Sequence, residues 1–449
     1  MADALLDRLF GAPAMQAIFD ERGRLQGMLD FEAALARVEA RLGLIPPGAA
    51  EAIAACCRAE RFDIEVLGRD ALLAGNTAIP LVRQLTRIVA EQDVTAATHV
   101  HFGATSQDAM DTGLVLQVRS ALDWLQPALE RLAAAAAEQA ERHRDTVLPG
   151  RTWMQHALPI TFGLKIAGWL DALERHRQRL AELRPRVLVL QFGGAAGTLA
   201  GLHPRGPAVA QALAAELRLA LPVLPWHTQR DRIAEMGAAL ALLVGTLGKI
   251  ARDVSLLMQT DVGEAFEPAA PGKGGSSSMP HKRNPVSSAV VLAAAVRAPG
   301  LAATLLAAMV QEHERGLGGW HAEWTALPEL FDLAAGALEH MHQVVAGLEV
   351  DAARMRANLD ATQGQILAEA VKMALVPHLG APQAHALVEQ ACRSAAEQRR
   401  HLREILGTDA RVTAALPSET LERLFDPAQY LGASAELVAG ALAAYRLGR

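Results

Sequence analysis

A chain of 449 residues that is 51% hydrophobic but only 4% aromatic carries its apolar content mostly as alanine and leucine, which excludes a disordered polymer and favours closely packed helices. Its 43 basic and 49 acidic side chains give a formal charge of -6 with no long basic tract, so nothing supports a nucleic-acid surface. Three cysteines, two of them adjacent at Cys56–Cys57, build neither a disulfide framework nor a metal site and point to a reducing compartment.

In chain order, the first ten residues carry Asp3, Asp7 and Arg8 and do not resemble a secretory signal, so a cytoplasmic protein is expected. Met28 to Leu42 has Leu29, Leu35, Val38 and Leu42 at helical spacing, and Gly43 with Pro46–Pro47 stops it. Leu81 to Val89 recovers that periodicity. The segment from His99 to Gly113 reads as a loop in which Asp108 and Asp111 cap the helix that follows.

The middle reads as long helices: Leu114 to His143, Phe162 to Leu183 closed by Pro185, Asp231 to Gln259, and Val286 to Glu314 kinked near Pro299. The third spans roughly 40 Å at the usual rise, and helices of that length need partners along their whole extent. Val286 to Val310 is apolar enough for a membrane check. Its alanines and the central Arg297 favour a buried bundle helix over a membrane span. Strand signals are confined to a hairpin within Val147 to Leu158 and a short apolar run at Val187 to Phe192. Past Asn358 shorter helices follow, broken by Gly380, Pro382, Gly407 and Pro417. The expected fold is all-α, in three helical domains at 1–110, 111–350 and 351–449, with a central long-helix bundle.

Three segments offer chemistry. Gly272 to Pro285 holds three glycines, three serines, His281, Lys282, Arg283 and Asn284. It reads either as a mobile lid that orders over a carboxylate or as a solvated linker. As a lid, it would use the amides at the start of the next helix, together with Lys282 and Arg283, to hold an anion. Thr105, Ser106 and Gln107 offer hydroxyls and an amide, with helix capping as the blander alternative. Gly150 to Pro159 contains Thr152, Trp153, Gln155 and His156; Trp153 is open to a packing role, and a lone histidine is no metal site. Gly193 to Gly197 lacks the framing of a dinucleotide fingerprint, and no zinc or calcium pattern occurs. No cofactor and no metal are expected.

Gly275 to Pro285 resembles the signature loop of the fumarase/aspartase superfamily, a long and specific motif. His101 to Asp108, followed by Asp111–Thr112–Gly113, resembles the second region shared by that family, and Gly150 to Gln155 the third. With Asn358 to Val371 and Phe425 to Tyr430, the resemblance spans nearly the whole chain. Trp226 to Arg232, and Glu314–Arg315 with Trp320, Glu323 and Trp324, resemble the branch that cyclises a carboxylated muconate to a lactone during protocatechuate breakdown.

The resemblance implies a homotetramer with sites built from three chains, a small polycarboxylate substrate, and no membrane or nucleic-acid partner. Carried residue by residue, it makes Ser276 the catalytic base with Lys282 beside it. Thr105, Ser106, Thr152, Gln155, Arg283, Asn284 and Arg315 become substrate-binding groups, and His281 a further candidate for proton transfer. The family's adenylosuccinate-cleaving branch has histidines where this chain has Trp153 and Gln92. Their loss argues against a nitrogen leaving group. A carboxylate leaving group, with an unperturbed pKa of roughly 4, departs without an acid. The remaining alternatives are an adenylosuccinate-lyase-like eliminase and a non-catalytic helical scaffold.

Overall fold

The computed structural model describes residues 8–448; the first seven residues, part of the stretch read above as unlike a secretory signal, lie outside it. The described chain is predominantly helical. Its principal helices are α1 (Glu21–Arg41), α2 (Ala78–Ala90), α3 (Ser106–Arg142), α4 (Phe162–Val187), α5 (Asp231–Leu257), α6 (Val286–Ala307) and α7 (Gly319–Ala346). The strands are β1 (Val147–Thr152), β2 (Gln155–Thr161), β3 (Ala265–Phe266) and β4 (Glu349–Val350). The strands pair antiparallel, β1 with β2 and β3 with β4.

By compactness the chain falls into two units, each assembled from three separated stretches. One comprises the chain up to Glu130, His176–Gly248 and Val290–Glu339; the other comprises Arg131–Arg175, Lys249–Ala289 and the chain from His340 onward. All five unit boundaries fall inside the long helices α3 to α7.

Local chemistry accounts for the helix starts. Asp20 caps α1 by accepting from the Gly23 amide at 2.7 Å. At the start of α3, Asp108 accepts from the Thr105 amide at 3.1 Å, so the helix begins at Ser106 and not at Leu114 as composition suggested. Where α1 and α3 cross, a Cβ on Gly27 would stand 2.7 Å from the Gly113 carbonyl oxygen, and one on Gly113 would stand 2.9 Å from the Gly27 carbonyl carbon. Only paired glycines allow that backbone contact.

Other expectations need correction. α4 runs through Pro185 in its last turn instead of ending before it. Val187 to Phe192 forms no strand, only an isolated bridge between Val189 and Ala220. α6 stops at Ala307, short of Glu314, and α7 is a further long helix that the pattern reading missed. α5 and α6 are both long and apolar enough to cross a membrane by length and composition. The most apolar stretch of α5 is 61% buried and that of α6 only 33%, so α6 is not the buried helix expected when one chain is taken alone.

Glu39 on α1 is fully buried, and neither carboxylate oxygen has a hydrogen-bond partner. Burial, reinforced by the Glu32 charge, pushes its pKa from 4.5 up to about 9. The folded-state pKa therefore lies above the unfolded one. The stability linked to this proton is complete below pH 4.5 and is lost progressively as pH rises toward 9. Glu39→Gln should match the parent in Tm near pH 5 and exceed it by about 5 °C near pH 8.5. A Tm difference that stays constant across that range would show that Glu39 does not titrate there.

Candidate active site

The first group of candidate residues is built on the start of α3. Asp108, fully buried, accepts from the amides of Gly193 and Gly194 at 2.9 Å each and from Nε2 of His227 at 2.9 Å. Arg315 ties the same region together. Its guanidinium donates to Gln107 Oε1 at 2.9 Å, to Thr105 Oγ1 at 3.4 Å and to the Ala195 carbonyl at 2.8 Å. The structure therefore brings Thr105 and Arg315 together, with Ser106 half-buried next to Thr105. A cavity of about 390 Å³ lies in the same unit, lined by Ala196, Trp226, His227, Thr228, Arg232 and His313 among others. Arg232 is the arginine among its lining residues, its guanidinium 6.0 Å from the centroid of the Trp226 ring. A cationic side chain on the wall of a cavity suits an anionic ligand.

Behind this region lies a fully buried ionic core. Arg230 donates to both oxygens of Asp111, at 2.7 and 3.2 Å, and to both oxygens of Glu323. Trp320 Nε1 adds a bond to Asp111 at 2.9 Å, and the Arg230 guanidinium stacks 4.9 Å from the Trp226 ring. Burial alone would lower the Arg230 pKa, but the two carboxylates win and raise it. Asp111 is thus the centre of an ion network and not a helix cap. His101 hydrogen-bonds Glu32 through Nδ1; burial opposes its protonation, yet the carboxylate holds its pKa above the usual histidine value.

The second group lies in the other unit. Thr152 and Gln155 are the last register pair of the β1–β2 hairpin. Trp153 and Met154 between them take φ of 51° and 65°, the left-handed pair that a two-residue hairpin turn requires. Trp153 is 98% exposed, so it packs against nothing in its own chain. The hairpin is anchored by Arg151, whose guanidinium grips the buried Glu264 at 2.6 and 2.8 Å; Asn358 donates to the same carboxylate at 2.8 Å. Gln155 and His156 line a cavity of about 670 Å³ with Thr362, Gln363 and Gln365.

The signature loop is pinched at its neck by the Asn284 amide, which donates to the Gly274 carbonyl at 2.8 Å. Gly274 sits at φ 69°, where a Cβ would stand 2.6 Å from the Asn284 oxygen. Within the loop the Met279 amide donates to Ser276 Oγ at 3.2 Å, while His281 and Lys282 are exposed. The amides at the start of α6 do not await a ligand. Those of Ser287 and Ser288 donate to the buried carboxylate of Glu267 at 3.1 and 2.7 Å. Arg283 is engaged by Glu349 at 3.0 Å and by the Glu267 carbonyl at 2.8 Å. The anion-binding role expected of that helix start is therefore filled from within the chain.

The pattern reading did not single out Asp108 as an ionic anchor, nor Glu264 or Glu267 at all. Only the Thr105-to-Asp108 spacing, a capping-box signal, pointed toward any of them.

Residues 10–300 match the family described as Lyase, and residues 364–441 the family described as Adenylosuccinate lyase C-terminus. The chain is 62% identical over 442 residues to a 3-carboxy-cis,cis-muconate cycloisomerase of Pseudomonas aeruginosa, covering 98% of this chain and 96% of that one. It is 57% identical to the protein of the same name from Pseudomonas putida, covering 94% of this chain and 100% of that one. The crystal structure of 3-carboxy-cis,cis-muconate lactonizing enzyme from Pseudomonas putida superimposes with a TM-score of 0.96 at 56% identity, over 99% of this chain and 100% of that one.

Proposed function

This chain belongs to the fumarase/aspartase superfamily, in its 3-carboxy-cis,cis-muconate cycloisomerase branch, and on that premise we propose that it interconverts 3-carboxy-cis,cis-muconate and a carboxymuconolactone in protocatechuate degradation. The observation that carries the reading is 62% identity sustained over almost the whole chain. In support, Arg315 and the Thr105 hydroxyl meet in the same compact unit as a cavity large enough for a small polycarboxylate.

In the cyclising direction a carboxylate, ionised near neutral pH, adds across the conjugated double bond and forms the lactone C–O bond. A proton is delivered to the carbon next to another carboxylate. We assign that delivery to Ser276 and its reverse to the Ser276 alkoxide, stabilised by the Met279 amide and by Lys282. Thr105, Ser106, Thr152, Gln155, Asn284 and Arg315 are the proposed substrate-binding groups. We also propose a cytoplasmic homotetramer whose sites draw on more than one chain. In support, α6 leaves Val296 82% and Leu306 53% exposed, apolar surface that partner copies would cover. Cys56, Cys57 and Cys392 are free thiols, as a reducing compartment requires.

The test is purified protein mixed with 3-carboxy-cis,cis-muconate, with loss of diene absorbance followed after exhaustive chelation and without nucleotide. Lactone formation by a particle of four 47.7 kDa chains is the expected result. Adenylosuccinate cleavage without lactone would overturn the substrate assignment. Activity restored only by one added metal would overturn the cofactor-free expectation, and an active monomer the shared site.

A further inference from the structure

His227 lines the 390 Å³ cavity and also grips the start of α3 twice. Its Nε2 meets Asp108 Oδ1 at 2.9 Å, and its carbonyl accepts from Gln107 Nε2 at 2.8 Å. Asp108 is fully buried and His227 only 4% exposed. The other groups reaching the Asp108 carboxylate are donors: the amides of Thr105, Gly193 and Gly194, and the Gln191 side chain at 3.4 Å. Among such donors the carboxylate acts as acceptor throughout, which places a hydrogen on His227 Nε2. The ring also packs against the 193 backbone, where a Cβ on Gly193 would come within 2.9 Å of His227 Cε1.

Asp108 thereby joins two segments, the Thr105–Asp108 turn and the Gly193–Gly194 turn. Arg315 spans the same two, through Thr105 and Gln107 on one and the Ala195 carbonyl on the other. The position of its guanidinium therefore depends on how those segments are spaced. We propose that His227 is a positioning residue: through Asp108 it holds the 193–195 turn against the start of α3, and so fixes the Thr105 hydroxyl and the Arg315 guanidinium where a substrate carboxylate is received. This rests on the reading that Thr105 and Arg315 bind that carboxylate.

Steady-state kinetics of the full-length assembled enzyme test it. His227→Ala should raise KM for 3-carboxy-cis,cis-muconate about 10-fold while kcat stays within about threefold. His227→Gln, whose side-chain amide can donate to the same carboxylate, should bring KM back to within about threefold of the parent. Asp108→Asn, which keeps the shape and loses the charge, should raise KM as His227→Ala does and serves if the alanine variant does not fold. A folded His227→Ala or Asp108→Asn with parental KM and only a lowered Tm would overturn the proposal in favour of a purely structural role. A fall in kcat at unchanged KM, not rescued by glutamine, would overturn it in favour of proton transfer. Thr105→Val separates the underlying reading: parental KM in that variant would refute the carboxylate site itself, whatever His227 does.

Discussion

Ser276→Ala is expected to lower turnover about 100-fold or more while leaving folding, assembly and KM close to the parent. The side chain sits in a loop whose neck, the bond between Asn284 and Gly274, does not involve it. The one hydrogen bond lost is that from the Met279 amide, in an exposed turn. Structural cost should therefore be small. The chemical cost is large, because the hydroxyl is the proposed carrier of the proton to and from carbon. Thr105, Gln155 and Arg315 remain to hold carboxylates, so binding should survive better than turnover. Ser277→Ala and Ser278→Ala report on nonspecific loop damage and should retain most activity. Near-parental kcat in a folded Ser276→Ala enzyme would remove Ser276 from proton transfer and make His281 the next residue to test.

Arg230→Met is expected to produce the largest loss of stability, on the order of 3–5 kcal/mol, read as a Tm fall of about 3–5 °C or as failure to fold. Arg230 is fully buried between Asp111 and Glu323, and its removal leaves two carboxylates in the interior without their cation. Burial already raises the Glu323 pKa against the pull of Arg230. Without the arginine that carboxyl should take up a proton more readily still. Its folded-state pKa then stands further above the unfolded value, so the linked stability is present at acid pH and lost as pH rises. The deficit of the variant should accordingly narrow as pH falls. Arg230→Lys should rescue little, because a single ammonium cannot make the paired bonds of a guanidinium to two carboxylates. Parental stability in folded Arg230→Met would show that the network contributes nothing net.

The long helices are legible because periodicity needs no knowledge of partners: the pattern predicts a helix over Asp231 to Gln259, and α5 spans Asp231–Leu257. The start of α3 is not. Gly103 to Gly113 is rich in residues that favour turns, and its helical form is secured by tertiary bonds that composition cannot reveal. Thr112 Oγ1 donates to the Gln191 carbonyl, 79 positions away, and Asp108 meets His227, 119 positions away. The end of α6 and the existence of α7 were missed for a related reason. Local signals run on past Ala307, whereas Pro328 reads as a breaker although α7 passes through it.

The family resemblance points to Thr105, Arg315 and the Ser276 loop as candidates, and the bond from Arg315 to Thr105 joins two of them. Sequence could not foresee that Glu267 and Glu349 take up the α6 amides and Arg283, since an acidic residue carries no local mark of the partner it will meet. Nor does chain order suggest that three separated stretches make up each compact unit.

The measurement that tests the central claim most directly is proton NMR of the product formed from 3-carboxy-cis,cis-muconate in deuterated water. Carboxylate addition with proton delivery to carbon predicts a carboxymuconolactone carrying one deuterium at the carbon next to a carboxylate. A lactone without deuterium, or consumption of the substrate without lactone, would contradict it.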